Sequence, residues 1–369
     1  MKRFACRNCG NEIYFESTTC VRCGNTLGYA PQREAFLSTP LGGTWTADGE
    51  HYALCANAEH LACNWLVPQA AADALCVACG HNRTIPDLSD ADAIERWRCL
   101  EFAKRTLFYS LMRWRLPHPT KAEDEEKGLA FDLLADTTAE DGTINNVMTG
   151  HANGLITIAI AEGDDAERER RRTQMGEPYR TLIGHFRHEV GHYYWERLVS
   201  DAGRLDACRA LFGDDREDYA EALQRHYREG PPPDWQDRFI TSYASSHPWE
   251  DWAETFAHYL HMVDALETAA SYGLRTRALG DVDTVVDLDP YTEGSVRDLL
   301  AAWVPVTVSL NAINRSMGQP DLYPFVVSVP VEEKLGFVHD LLRAEAASSG
   351  AAARELGRAA VANARASAR

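Results

Sequence analysis

Eight of the ten cysteines lie within the first 79 residues of the 369-residue chain, and their spacing is typical of metal ligands. Cys6 and Cys9 form one CxxC pair and Cys20 and Cys23 another, ten residues later, with a glycine directly after each pair. A zinc knuckle needs backbone amides that point at the thiolates, and glycine permits this tight turn. No apolar segment typical of a secretory signal follows the first residues, so disulfides are not expected. We predict a four-cysteine zinc site.

A second cysteine set follows, formed by Cys55, Cys63, Cys76 and Cys79. It ends in another CxxC-Gly, but seven residues separate its first two members. We predict a second zinc site, and the alternative is that Cys55 and Cys63 are buried apolar thiols. Three histidines of this segment are possible substitute ligands: His51, His60 and His81. The two remaining cysteines lie in helical patterns and are expected to be packing residues: Cys99 and Cys208.

The size of this segment explains why it needs metal. About 80 residues with many short polar turns bury too little apolar surface on their own, so bound zinc supplies folding free energy. Four residues are expected to form a small core between the two zinc sites: Trp45, Tyr52, Trp65 and Leu66.

The charge balance restricts the partners. The chain has 37 Lys and Arg against 55 Asp and Glu, a net charge of −18, which argues against general affinity for nucleic acid or anionic membrane. No apolar run reaches the ~18 residues of a membrane helix. We therefore expect a cytoplasmic protein whose zinc ribbon contacts another protein, with no membrane association, and we do not expect nucleic acid as a partner.

The pattern beyond the cysteines predicts an α+β fold: a zinc-ribbon module, then a mainly helical domain with a small sheet. We divide the chain into a zinc-ribbon region (1–85), a connecting helix (86–120), the mainly helical domain (121–345) and an Ala/Arg-rich tail (346–369). The tail has few large apolar side chains, which predicts a frayed helix or disorder.

Short patterns within the mainly helical domain predict its sheet and one loop. Apolar residues alternate over 129–133 and 156–160, which predicts two strands. The charge-rich residues 164–172 are expected to form an exposed loop, and from about 178 the period is mostly helical.

The central motif is HExxH, formed by His188, Glu189 and His192. Residues four apart share a helix face, so both imidazoles can reach one zinc ion while Glu189 takes a proton from a metal-bound water. Apolar residues at helical spacing predict the buried back of this helix: Leu182, Ile183, Phe186, Val190, Tyr194 and Leu198. Residues 155–161, just upstream, are expected to be the edge strand to which an extended substrate adds.

A catalytic zinc needs a third protein ligand. The extended motif HExxHxxGxxH is absent, because Trp195 and Leu198 occupy its later positions. A downstream carboxylate is the remaining common solution. Pro248 favours a first helical turn, so Glu250 falls at a helix start and shares a face with Glu254. One of these carboxylates can bind zinc while the other accepts the outer N–H of a ligand histidine.

Residues 1 to about 345 resemble a bacterial family with an N-terminal zinc ribbon and a zinc-binding metallopeptidase domain. The matching stretches are FACRNCGNEIYFESTTCVRCG, CNWLVPQ, RHEVGHYYWERL and HPWEDWAETFAHYLH. The site is also similar to that of lethal-factor-type zincin proteases, in which a Tyr precedes the Glu ligand by seven residues and a second Glu follows it by four. This resemblance implies Glu250 as third ligand, Tyr243 as oxyanion stabiliser and Glu254 beside the ligands, with Glu254 the next candidate ligand.

We therefore expect a zinc-dependent peptidase of the HExxH…E type. It would hold one catalytic zinc and one or two structural zincs, with Glu189 as general base and a peptide or protein as substrate. The alternative is a zinc-ribbon scaffold whose silent zincin domain binds peptide. The presence of Glu189 favours catalysis, since a scaffold needs no base beside the two histidines.

Overall fold

Short antiparallel strands dominate the first ninety residues and long helices dominate the remainder, so the fold is α+β, as predicted. This computed structural model describes residues 1–71, 74–138, 144–145, 147–175, 177, 179–277 and 283–367. The chain divides into two compact units. The first contains residues 1–109, 119–193 and 267–273, and the second contains residues 110–118, 194–266 and 274–369.

The zinc-ribbon region consists of small sheets. Its strands are β1 (Phe4–Ala5), β2 (Glu12–Ile13), β3 (Thr26–Ala30), β4 (Ala35–Thr39), β5 (Trp45–Ala47), β6 (Glu50–Leu54) and β7 (Leu66–Pro68). β1 pairs with β2, β3 with β4, and β6 lies between β5 and β7, all antiparallel. The predicted small core is confirmed: Trp45, Tyr52 and Leu66 belong to one buried cluster, and Trp65 is fully buried against Tyr29.

A four-stranded sheet forms the centre of the first unit. The chain continues with β8 (Asn82–Thr84), α1 (Ala91–Arg113), β9 (Ala130–Leu134), β10 (Thr137–Thr138), β11 (Ile144–Asn145), β12 (Gly150–Ala152), β13 (Leu155–Ala159), α2 (Asp165–Met175) and α3 (Leu182–Trp195). The sheet order is β12-β13-β9-β8. Only the β12–β13 pair is antiparallel.

The edge-strand prediction for residues 155–161 is wrong. β13 is an inner strand, because the chain turns back at Gly154 and β12 pairs along its outer side. Gly154 has φ +77°, which favours glycine, and a Cβ there would lie 2.3 Å from the Gly128 carbonyl oxygen. Among the described strands, β12 is therefore the outermost on this side.

The apolar alternation that predicted β9 and β13 defines the face of the sheet that meets the helices. Phe131 and Ile156 are paired in register and fully buried. The Phe131 ring lies 6.2 Å from Phe108 of α1 and 5.7 Å from Phe186 of α3, centroid to centroid. Within the first unit, both helices thus pack on the same face, and α3 carries the HExxH motif.

The predicted loop at 164–172 is instead helix α2, which was missed because it has no apolar stripe. Its charges are spaced three and four residues apart and form ion pairs along the helix. Glu167 pairs with Arg170 (2.6 Å) and Arg171 (2.7 Å), and Glu169 pairs with Arg172 (2.7 Å). Such pairs stabilise an exposed helix that buries little.

The second unit is mainly helical. After a π-helical turn (Glu196–Ser200) come α4 (Leu205–Phe212), α5 (Tyr219–Glu229), α6 (Trp235–Arg238), α7 (Pro248–Ser271), β14 (Arg275–Arg277), β15 (Asp283–Val285), α8 (Val296–Ser316) and α9 (Val329–Ser367). Trp252 of α7 packs with Phe212 and Phe337. The tail from residue 346 continues α9 as far as residue 367.

Helix α8 is 21 residues long and rich in apolar side chains. By length and composition alone it is long enough to cross a bilayer, although core helices of soluble proteins pass the same criterion. Its inner face is buried through Leu299, Trp303 and Val306, while Val304 and Val308 are exposed.

Candidate metal centres and active site

The first cysteine set converges on one point at the tips of the first hairpin turns. The sulfur of Cys6 lies 3.8 Å from that of Cys23, and the sulfur of Cys9 lies 3.6 Å from that of Cys20. Tetrahedral Zn–S bonds of about 2.3 Å place sulfurs ~3.8 Å apart, whereas a disulfide needs about 2.05 Å. Gly10 has φ +71° and donates its N–H to the Cys6 carbonyl oxygen, closing the predicted knuckle.

The second set also converges, and all four of its cysteines are buried. The sulfurs of Cys63 and Cys76 are 3.7 Å apart, and the N–H of Cys76 donates to the Cys55 sulfur at 3.2 Å. Backbone amides of this kind stabilise thiolates. The four-cysteine prediction fits this geometry without His51, His60 or His81. Both cysteine tetrads are zinc-binding sites.

The second tetrad has a buried polar network behind it. Glu101 of α1 lies 3.5 Å from the Cys79 sulfur, accepts a hydrogen bond from Asn82 (2.7 Å) and pairs with Lys104 at 2.8 Å. Both charged side chains are fully buried. Burial raises the pKa of Glu101 because it disfavours the ionised carboxylate. The neighbouring Lys104 ammonium offsets part of this cost.

The two cysteines outside the tetrads differ. Cys208 of α4 is buried, as expected for a packing residue, and burial raises the pKa of its thiol to about 12. Cys99 of α1 is exposed, so its packing prediction is wrong. Helical periodicity alone did not distinguish the two faces of α1 at this position.

The HExxH motif lies in a true helix, and its predicted back face is buried except at Ile183, which is half-buried. Phe186, Val190 and Tyr194 have no exposed surface. The Nε2 atoms of His188 and His192 face each other at 3.2 Å. Two zinc–nitrogen bonds of about 2.0–2.1 Å at a tetrahedral angle place the nitrogens ~3.3 Å apart, so this pair has the spacing of two ligands on one ion. Glu189, next to His188, is buried.

A charge cluster holds the start of this helix. The carboxylate of Glu162 binds Arg171 (2.9 Å) and Arg180 (2.8 Å), and it lies 3.3 Å from Nδ1 of His185, one turn before His188. Burial raises the pKa of Glu162, but His185 and Arg180 outweigh this and lower it to about 2. The carboxylate is thus ionised and fixes the first turn of α3.

His151, on the outermost strand β12, is a neighbour of the motif that sequence reasoning missed. Its ring stacks on that of His192, with centroids 6.2 Å apart and planes 22° apart. Gly154 donates its N–H to His151 Nε2 at 3.0 Å. Burial, then repulsion by His192 and Lys121, lowers the pKa of His151 to about 3, so the ring is neutral. In the sequence, His151 stands out only as the first residue of a turn-like stretch, His151-Ala152-Asn153-Gly154.

In the second unit, Glu250 lies in the first turn of α7, where Pro248 begins the helix as predicted. The side chain is buried, and the Tyr219 hydroxyl donates to its Oε1 at 2.7 Å. Nδ1 of His247 accepts the N–H of Trp249, which caps the helix. Tyr219 was missed by sequence reasoning, because it lies 31 residues upstream of Glu250 and no spacing rule connects them.

The other two predicted residues of this segment are also in the second unit. Tyr243 opens a short 3₁₀ turn, and burial, followed by the negative charge of Glu250, raises its pKa well above the ordinary value. The hydroxyl is therefore protonated and able to donate. Glu254, one turn after Glu250 on α7, accepts a hydrogen bond from Thr241 at 2.7 Å.

Comparisons with known proteins agree with both parts of the chain. Residues 93–341 match the model of a family described as "putative zinc-binding metallo-peptidase", and residues 3–90 match a zinc-ribbon domain. Uncharacterized proteins of Mycobacterium tuberculosis and Mycobacterium bovis are each 44% identical to the chain over 343 residues, covering 93% of it and 95% of the relative. No solved structure matches the chain.

Proposed function

The chain belongs to this family of zinc-binding metallopeptidases, and on that premise we propose that it hydrolyses peptide bonds with a zinc-activated water. The observation that carries the proposal is the pair of facing Nε2 atoms, 3.2 Å apart, with Glu189 buried next to His188. A helix that served only as a scaffold needs neither the imidazole spacing of a metal site nor an adjacent base.

We propose that His188, His192 and Glu250 hold this zinc ion. Two imidazoles and one carboxylate are a common ligand set for catalytic zinc, with the fourth position left for water. When bound there, zinc lowers the pKa of that water from 15.7 to about 7 and polarises the substrate carbonyl. Glu254 is the next candidate ligand, and its hydrogen bond from Thr241 favours a supporting role.

The remaining chemistry is assigned to residues of this chain. Glu189 takes the proton of the attacking water and later passes it to the leaving amine. Tyr243 donates a hydrogen bond to the oxyanion of the tetrahedral intermediate, as in lethal-factor-type zincins. Its raised pKa supports this role, because the hydroxyl stays protonated at neutral pH. Loss of one such donor typically costs ~10²–10³ in rate.

We propose that an extended peptide pairs with β12, and not with residues 155–161 as the sequence predicted. β12 is outermost in the described sheet, and its middle residue, His151, stacks on His192. A peptide paired with this strand would therefore run past the metal-binding helix. Main-chain pairing of this kind gives affinity with little sequence preference.

The test compares the wild type with Glu189→Gln on unfolded, fluorescently labelled casein, with zinc content measured in both proteins. Gln has the shape of Glu but cannot accept the proton. We expect equal zinc content and cleavage by the wild type alone. Equal zinc content without cleavage by either protein would contradict the proposal and favour the alternative, a peptide-binding scaffold with a silent zincin domain.

A further inference from the structure

We propose that Tyr219 is a positioning residue for zinc: its hydroxyl holds Oε1 of Glu250, so that Oε2 is the oxygen presented to the metal. This inference rests on the proposed function, since it assigns Glu250 as a ligand. Neither the family match nor the motif spacing indicates a role for Tyr219.

The first step is the hydrogen bond itself. The Tyr219 hydroxyl donates to Oε1 of Glu250 at 2.7 Å, a normal length for a bond to a carboxylate. Glu250 is 1% exposed, so water does not compete strongly for this oxygen. A carboxylate with one oxygen held in this way has its plane fixed and binds a small cation through the other oxygen. Such outer hydrogen bonds orient the ligand before the metal arrives.

The second step is that Tyr219 is itself held in place. It is the first residue of α5, and the preceding Asp218 caps that helix by accepting the N–H of Glu221 at 2.9 Å. The start of α5 therefore has a defined backbone. A tyrosine at a frayed helix end could not orient a carboxylate.

The third step connects the start of α5 to the start of α7. His247 accepts the N–H of Trp249 at its Nδ1 and donates from its Nε2 to the carbonyl oxygen of Glu217, at 3.2 Å. The Tyr219 ring meets the rings of His247 and Trp249 edge-on, with centroids 5.3 and 5.7 Å away. One histidine thus caps the helix that carries Glu250 and anchors the segment that carries Tyr219.

The experiment is a zinc titration of the full-length chain against a competing chelator, which resolves the most weakly held ion. Tyr219→Phe keeps the ring packing and removes only the hydroxyl. Removal of an outer hydrogen bond to a ligand typically weakens metal binding 10–100-fold, and we expect about 10-fold here. The matched control is Tyr272→Phe, which removes a tyrosine–glutamate hydrogen bond of 2.8 Å elsewhere in the chain, to Glu12.

A double-variant cycle separates positioning from a general loss of structure. Glu250→Gln should weaken the binding of the same zinc ion. In the Glu250→Gln background, Tyr219→Phe should cause little further loss of zinc affinity, because the two side chains act through one hydrogen bond. Unchanged zinc affinity in Tyr219→Phe, or fully additive losses in the double variant, would overturn the inference and leave the proposed peptidase intact. A wild type without a third zinc ion would instead overturn the proposed function.

Discussion

Glu162→Gln should destabilise the protein through the start of α3, the helix that carries the HExxH motif. Glu162 is 1% exposed and contacts Arg171, Arg180 and His185. Its pKa is lowered from 4.5 to about 2, which corresponds to about 3 kcal/mol of stability. Partial screening by solvent reduces this, so we expect a loss of about 2–3 kcal/mol at pH 7. Gln keeps the shape but leaves Arg171, Arg180 and His185 without their shared carboxylate.

The pH dependence provides the sharper test. A carboxylate with a lowered folded-state pKa contributes its full stability above pH 4.5 and loses it as the pH falls towards 2. Urea unfolding followed by tryptophan fluorescence gives the free energy of unfolding of wild type and Glu162→Gln at each pH. The difference between the two proteins should be larger at pH 7 than at pH 3. Glu169→Gln, which removes an exposed ion pair with Arg172, should change nothing measurable. A gap of equal size at both pH values, or no gap at pH 7, would refute the reasoning.

Two further stability predictions concern the second tetrad and the turn before β13. Lys104→Met leaves the buried Glu101 carboxylate without its cation and should lower the free energy of unfolding by about 3–5 kcal/mol. Adding Glu101→Gln should recover part of that loss. Urea unfolding measures both variants, and no recovery in the double variant would show that the two side chains are not coupled. Gly154→Ala places a Cβ 2.3 Å from the Gly128 carbonyl oxygen at φ +77°, so its melting temperature should fall further than that of Gly203→Ala, where φ is +69° and the space is open. Equal shifts would contradict the turn geometry.

The residues that could be predicted from sequence are those whose chemistry fixes their spacing. Cysteine pairs two residues apart and histidines four apart are ligand patterns that local geometry enforces, so both tetrads and the facing pair of His188 and His192 follow from the chain alone. Pro248 marked the start of the helix that carries Glu250, because proline is favoured in the first helical turn. These features depend on one turn or one helix and not on the tertiary fold.

The features that were missed depend on contacts between distant segments. Tyr219 reaches Glu250 across a connection with no length rule, and His151 reaches His192 through sheet order. The edge strand was misassigned because alternation shows that a strand exists but not which neighbours it pairs with. Helix α2 was taken for a loop because its stability comes from ion pairs at helical spacing and not from an apolar stripe.

The number of zinc ions per chain tests the central claim most directly. Elemental analysis of the purified wild type should give about three zinc ions, one in each cysteine tetrad and one at the HExxH helix. His192→Ala should give about two, because both tetrads stay loaded. A wild type with only two zinc ions, or a His192→Ala variant that still holds three, would contradict a metal centre built on the HExxH helix.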